Sequence, residues 1–222
     1  MSRIVDLTVP IEPHFRWPME RSLKADFAKG QQFQITWLGL VVHGFTHIDS
    51  PRHILPDGKT SSDVPLETTI GEASVVDLSA VEPKQEITAE FLSARAGHVR
   101  EGDIVLLKTC WDERRALHTP EFWTDAPYLS RGACEWLLER RIKALAPDFP
   151  QDYPIRLLLG GDTAPLTDFV SHDVLLRNGV ILIEYVCNFG ALTHPRTTVY
   201  ALPIKLPDAD GCPARVIAVE PD

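Results

Sequence analysis

The stretch SRGACEWLLERRIKALAPD, residues 130–148, runs from a helical pattern into an apolar strand pattern. Ser130 is placed to cap a helix over 130–141. IKALAP, residues 142–147, reads as the buried strand that the helix feeds. A helix delivering the chain into a buried strand is an α/β feature. Working outward, β-branched and aromatic runs between breakers predict further strands at 3–9, 33–42, 72–79, 103–109, 155–160, 180–186, 198–205 and 214–220. Two more helices are expected, at 88–96 with Thr88 as cap and at 171–179 with Ser171 as N-cap and Gly179 closing the C-terminus. The fold class is therefore α/β, strand-rich with a few helices. No repeat period and no flexible linker interrupts it, so residues 1–222 read as a single domain.

Composition narrows the function. Hydrophobic residues make up 44% and charged residues 24% of the 222, an ordinary globular balance. The net charge of −9, with no long run of Lys or Arg, argues against nucleic acid as a partner. No apolar run approaches the roughly 20 residues of a membrane helix. The N-terminal MSRIVDLTVPIEPHF has no secretory apolar region, so the expected location is the cytoplasm. Cys110, Cys134, Cys187 and Cys212 form no CxxC pair and read as reduced structural thiols.

The chemistry concentrates in VVHGFTHIDSPRH, residues 41–53, which holds His43, His47, Asp49 and His53. Imidazole and carboxylate reach Zn²⁺ or Mn²⁺ at about 2.0–2.2 Å. On one helix His43 and His47 would share a face while Asp49 pointed away, so a helix fails for the set. In an extended chain all four share a face, yet the His43 and His47 backbones would stand about 13 Å apart. The chain must bend between them, and Gly44 permits a bend. Pro51 then ends the extended run and lets His53 approach from another side. The segment reads as a strand end curling around a metal.

A second pair lies in SHDVLLRNGVILIEYV, residues 171–186. A helical advance of about 9 Å from His172, reversed by a strand of about 13 Å, brings His172 beside Glu184. Glu184 inside an apolar run is costly to bury unless it meets a cation or a proton.

These residues match a known pattern. H-x-x-x-H-x-D-x-x-x-H, with Thr46 before the second His and Pro51 after the Asp, resembles the signature of the cyclase-type metal-dependent hydrolases, which include bacterial kynurenine formamidase and isatin hydrolase. Trp17-Pro18, GDIVLLKTCW (102–111), YLSRGACEWLLER (128–140), the His172 to Glu184 spacing and YALPIKLPDADGCPARVIAV (200–219) extend the resemblance over nearly the whole chain. It implies a swivelling β/β/α fold, a homodimer or homotetramer, and a site for one or two divalent ions, zinc first and manganese as the alternative. It further implies that His43 and His47 hold the first metal, Asp49 and Glu184 bridge, His172 holds the second metal, and His53 is the catalytic acid/base. Trp17 resembles the substrate-facing aromatic. Phe45-Thr46 stands where family members carry Gly-Thr or Gly-Ala, which places Phe45 as a substrate-binding candidate, and APDFPQDYP (146–154) replaces a Gly-Ile-Asp type of segment.

The implied activity is hydrolysis of a small amide, formamide, lactam or lactone, arylformamidase-like, on a small and ring-bearing substrate. Trp37 is a further aromatic candidate, and Arg52 a candidate for holding a substrate carboxylate. A nucleophilic cysteine enzyme built on Cys110 or Cys187 is a rival. A non-catalytic metal or small-molecule binding protein that keeps the metal site is the rival of another class.

Overall fold

The Ser130 hydroxyl accepts a hydrogen bond from the Ala133 N–H at 3.1 Å and starts the helix Arg131–Glu139, which leads into the fully buried strand Ala144–Pro147. The computed structural model that shows this describes residues 2–221. Its strands are β1 (Arg3–Asp6), β2 (Met19–Ala25), β3 (Ile35–Leu40), β4 (His47–Asp49), β5 (Ile70–Asp77) and β6 (Glu86–Ile87). There follow β7 (Ile104–Lys108), β8 (Tyr128–Leu129), β9 (Ala144–Pro147), β10 (Ile181–Glu184), β11 (Arg196–Pro203) and β12 (Gly211–Glu220).

Seven of these close into a barrel-like sheet in the order β12, β11, β5, β7, β9, β10, β4 and back to β12. The ten-residue β12 makes the closure possible by dividing one edge. Its residues 211–213 pair with β4, and its residues 217–220 pair with β1. β5, β7, β9 and β10 run parallel, and the last three are buried almost end to end, as their unbroken apolar runs require. Outside the barrel the helix Arg131–Glu139 packs against the short helix Ala89–Ser93, which Thr88 caps through the Phe91 N–H, and against residues 171–175.

The strand-rich α/β architecture with few helices is the one the sequence implies, with four local differences. Residues 155–160 lie in a 3-10 helix, Tyr153–Gly160, because Pro154 and the left-handed Gly161 punctuate a segment too short and too exposed to join the sheet. β2 was not anticipated: MERSLKA lies on an exposed hairpin with β3, so no apolar alternation marks it. For the same reason β3 is largely exposed rather than the buried strand its apolar content suggests, with Ile35 at 53% and Trp37 at 41% exposure. Ser171 lies inside its helix and caps nothing, because Asp152 takes its N–H and its hydroxyl, while Gly179 closes the segment in the left-handed region at φ 85° as expected.

Candidate metal centre

β4 carries His47 and Asp49 into the barrel, paired on one side with β10 and on the other with β12. The register sets Glu184 directly opposite His47 and Gly211 opposite Asp49. The bend between the two histidines falls at Phe45, in the left-handed region at φ 59°, one residue after the expected Gly44. Gly44 is small for another reason: a Cβ there would stand 3.1 Å from Trp17 Cγ and 3.2 Å from Val41 Cγ1. Gly211 is constrained likewise, since its Cβ would lie 2.6 Å from His43 Cε1. Pro51 ends the strand as expected, and His53 follows on the 3-10 turn Pro51–His53.

The six ligand and acid/base candidates converge. His43 Nδ1 lies 2.7 Å and His47 Nε2 3.1 Å from Asp49 Oδ1, and His172 Nε2 lies 3.4 Å from Asp49 Oδ2. Glu184 closes the group, with Oε2 3.8 Å from His47 Nε2 and Oε1 3.7 Å from His172 Nε2. His53 stacks at a tilt on His43, ring centroids 4.0 Å apart. A cavity of about 300 Å³ opens above them. Arg16, His43, Asp49, His53, His172 and Glu184 form its polar part, and Trp17, Ile54, Ile155, Phe169 and Tyr185 are among its apolar lining. His47 lies beneath, its side chain 1% exposed.

A divalent cation fits these residues on two observations. The His47 Nδ1–H donates to the Phe45 carbonyl at 2.8 Å, which turns the Nε2 lone pair inward. That Nε2 and Asp49 Oδ2 are buried and make no hydrogen bond of sound geometry, an expensive arrangement for atoms with no ion to face. Among the described residues, two trios bring one ligand atom each within mutual reach of an ion: His47, Asp49 and Glu184, and His43, Asp49 and His53. Nitrogen and carboxylate oxygen are a donor set suited to zinc or manganese.

The electrostatics agree. Burial opposes charge on His47, yet Asp49 and Glu184 outweigh it and raise its pKa. His172 rises well above its usual value against burial, through Asp152 and Asp49. His43 rises to about 9 against burial, pulled by Asp49 and Asp210. Burial would raise Asp49, but the His47 charge and the close approach of the His172, His43 and His47 imidazoles hold it well below the carboxylate range. Glu184 is raised by burial and by the Asp49 charge. His53 alone of the histidines here is lowered, by burial first, so it is neutral near pH 7.

Several contributors escaped the sequence reading. Asp152 Oδ2 accepts from His172 Nδ1 at 2.6 Å, and Gln151 donates to Glu184 and, at 3.1 Å, to Ser171 Oγ. Both come from the segment that departs from the family pattern, and that departure was the available signal. Asp210 accepts from His43 Nε2 at 2.8 Å and stands 3.7 Å from His53 Nδ1. Its signal was the turn DADG just before β12. Of the aromatic candidates, Trp17 lines the cavity, buried against His14, Tyr185 and Phe45. Phe45 does not line it: its left-handed backbone sends the ring behind Trp17, 5.0 Å between centroids. Trp37 borders a separate groove on the hairpin, and Arg52 is exposed outside the cavity. Burial pushes the Cys110 thiol up to about 11 and the Cys187 thiol up to about 12, so neither is a thiolate nucleophile at neutral pH.

A family model described as "Putative cyclase" matches residues 5–151. Kynurenine formamidase of Bacillus cereus (strain ATCC 14579) is 27% identical over 226 residues, covering 97% of this chain and 97% of that protein. Isatin hydrolase of Roseibium aggregatum is 27% identical over 213 residues, covering 86% of this chain and 77% of that protein. Among solved structures, a potential metal-dependent hydrolase with cyclase activity superposes with a TM-score of 0.74 at 26% identity, covering all of both chains.

Proposed function

The chain belongs to the cyclase family, and on that premise we propose that it is a metal-dependent hydrolase cleaving a carbon–nitrogen bond in a small amide, formamide or lactam, with lactones as further candidates. One observation carries the reading: two orphaned buried ligand atoms, His47 Nε2 and Asp49 Oδ2, sit at the foot of an aromatic-walled cavity that His53 also lines. His43 and His47 would hold a first ion, His172 a second, with Asp49 and Glu184 shared between them. Zinc is the expected ion and manganese the alternative. Such an ion lowers the pKa of water from 15.7 to about 7 and polarises a carbonyl.

His53 is assigned the proton transfers. Its Nδ1 lies toward Asp210 at 3.7 Å, which leaves Nε2 to take a proton from the attacking water and give it to the departing nitrogen as the carbon–nitrogen bond breaks. Lowering of its pKa by burial keeps that nitrogen free at neutral pH. Trp17 and Phe169 provide flat apolar walls that suit a ring, and Ile155 adds apolar surface beside them. Phe45 supports the substrate side from behind Trp17.

A homodimer or homotetramer is part of this proposal, supported by the hairpin of β2 and β3, which exposes Leu23 and Leu38 on one face and Ile35 and Trp37 on the other. No helix among the described residues is long and apolar enough to cross a membrane.

The rival, a non-catalytic metal or small-molecule binding protein, draws on the reach of His53 to one ion with His43 and Asp49. If His53 is a ligand, it is unavailable as a base. Metal analysis of wild type and His53→Ala, together with hydrolysis of N-formylkynurenine and of a small amide, lactam and lactone panel, separates the two.

A further inference from the structure

Five arginines among the described residues are half-buried: Arg16, Arg114, Arg115, Arg156 and Arg196. Four of them donate from the guanidinium to a protein acceptor. Arg114 reaches the Val81 carbonyl at 2.7 Å, Arg115 the Asp125 carboxylate at 3.0 Å, Arg156 the Ala126 carbonyl at 2.8 Å, and Arg196 both oxygens of Asp103 at 2.8 and 2.9 Å. The Arg16 guanidinium donates to none, and no Asp or Glu among the described residues lies within ion-pairing distance of it. Five donors and a permanent charge, partly withdrawn from water and given no acceptor, are costly to maintain.

Arg16 borders the cavity above the candidate metal centre and, apart from the histidines, is the one cation in its lining. It directly precedes the wall residue Trp17. Its guanidinium lies 5.6 Å from the centroid of the Trp123 ring, a contact that helps hold its plane while leaving its N–H edges free. Arg52, the sequence-level candidate for holding a carboxylate, is exposed and does not border the cavity.

We propose that Arg16 determines specificity by binding a carboxylate carried on the substrate's ring, so that the preferred substrates are anionic, carboxylate-bearing aromatic amides rather than neutral ones. A carboxylate matches the fork of the guanidinium in two parallel hydrogen bonds. A single negative charge is favoured over a phosphate dianion, because Asp49, Glu184, Asp152 and Asp210 already surround the histidines. The small cavity accommodates one substituted ring with Trp17 and Phe169 among its walls.

The substrate chemistry rests on the hydrolase reading above, and the test keeps the two apart. Zinc-loaded full-length protein is titrated with 2-aminobenzoate and with its neutral isostere 2-aminobenzamide, for wild type, Arg16→Gln and Arg16→Lys. Hydrolysis of the two N-formyl derivatives is followed in parallel. The expected result is binding of the anion about tenfold or more tighter than the amide in wild type, a preference within about twofold in Arg16→Gln, and an intermediate preference in Arg16→Lys. Equal or absent binding of the two in wild type overturns the proposal. So does a preference that survives in Arg16→Gln, since the anion would then be held by the metal. If both N-formyl compounds are hydrolysed with equal kcat/KM, the role of Arg16 falls and the hydrolase reading stands. If neither these nor any member of the amide, lactam and lactone panel is hydrolysed while the Arg16-dependent preference persists, the role of Arg16 in binding the anion stands and the hydrolase reading falls.

Discussion

Glu184 faces His47 across the β4–β10 pair, its Oε2 3.8 Å from His47 Nε2, while its other oxygen lies 3.7 Å from His172 Nε2. One carboxylate thus joins a histidine from the N-terminal signature to one from a helix far along the chain. Asp49 does the same, contacting His43, His47 and His172.

Replacing Asp49 by Asn removes the charge that three histidines share. In metal-free protein at pH 6, where those histidines carry protons, the change is expected to cost about 3–5 kcal/mol, as breaking a buried ion pair does. Denaturant unfolding reads the loss, and the variant is also expected to retain no stoichiometric zinc.

Asp152→Asn weakens the carboxylate that orients His172 through a 2.6 Å hydrogen bond. Metal affinity should fall about 10- to 100-fold, the usual effect of losing such an outer partner. Competition with a chelator measures it. Unchanged affinity would mean that His172 is not a ligand.

The metal-free protein should lose stability as pH rises from about 6.5 to 9. His43 has its folded pKa raised to about 9, so its contribution is complete below the unfolded value near 6.5 and disappears as pH passes the folded one. At 1.36 kcal/mol per pKa unit the His43 share is on the order of 3 kcal/mol. His47 and His172, also raised, act in the same direction. Saturating zinc, which replaces those protons, should flatten the curve, and thermal melts across the pH range with and without zinc test this.

Trp17→Ala removes a ring packed at 4.5 Å on His14, 4.7 Å on Tyr185 and 5.0 Å on Phe45. A stability loss of about 3–5 kcal/mol is expected from the cavity it leaves. KM for a ring-bearing substrate should rise as well. A stable variant with unaltered KM would remove Trp17 from the substrate wall.

What the sequence conveyed followed from local rules. On a helix Asp49 would point away from His43 and His47, which excludes one, and β4 is the extended piece that carries His47 and Asp49. The charge of Glu184 inside an apolar run announced a buried partner, and three are present, in His47, His172 and Gln151. For Asp152, Gln151 and Asp210 the sequence offered only the departure at 146–154 and the turn DADG, which mark unusual segments and not roles, because their partners lie 20, 33 and 167 residues away. Arg16 was missed for a related reason: its lack of an acceptor is a property of the packed chain. The misplacement of Phe45 in the pocket came from treating neighbours in sequence as neighbours in the cavity, which a left-handed residue at φ 59° undoes. β2 escaped because an exposed hairpin imposes no apolar alternation.

The most direct measurement is metal content per chain together with kcat/KM on the amide, formamide and lactam panel, for wild type and His53→Ala side by side. Equal metal in both proteins, with turnover in the wild type and its loss in the variant, is the predicted result. Loss of metal from His53→Ala, or a fully loaded wild type that hydrolyses nothing on the panel, would contradict it.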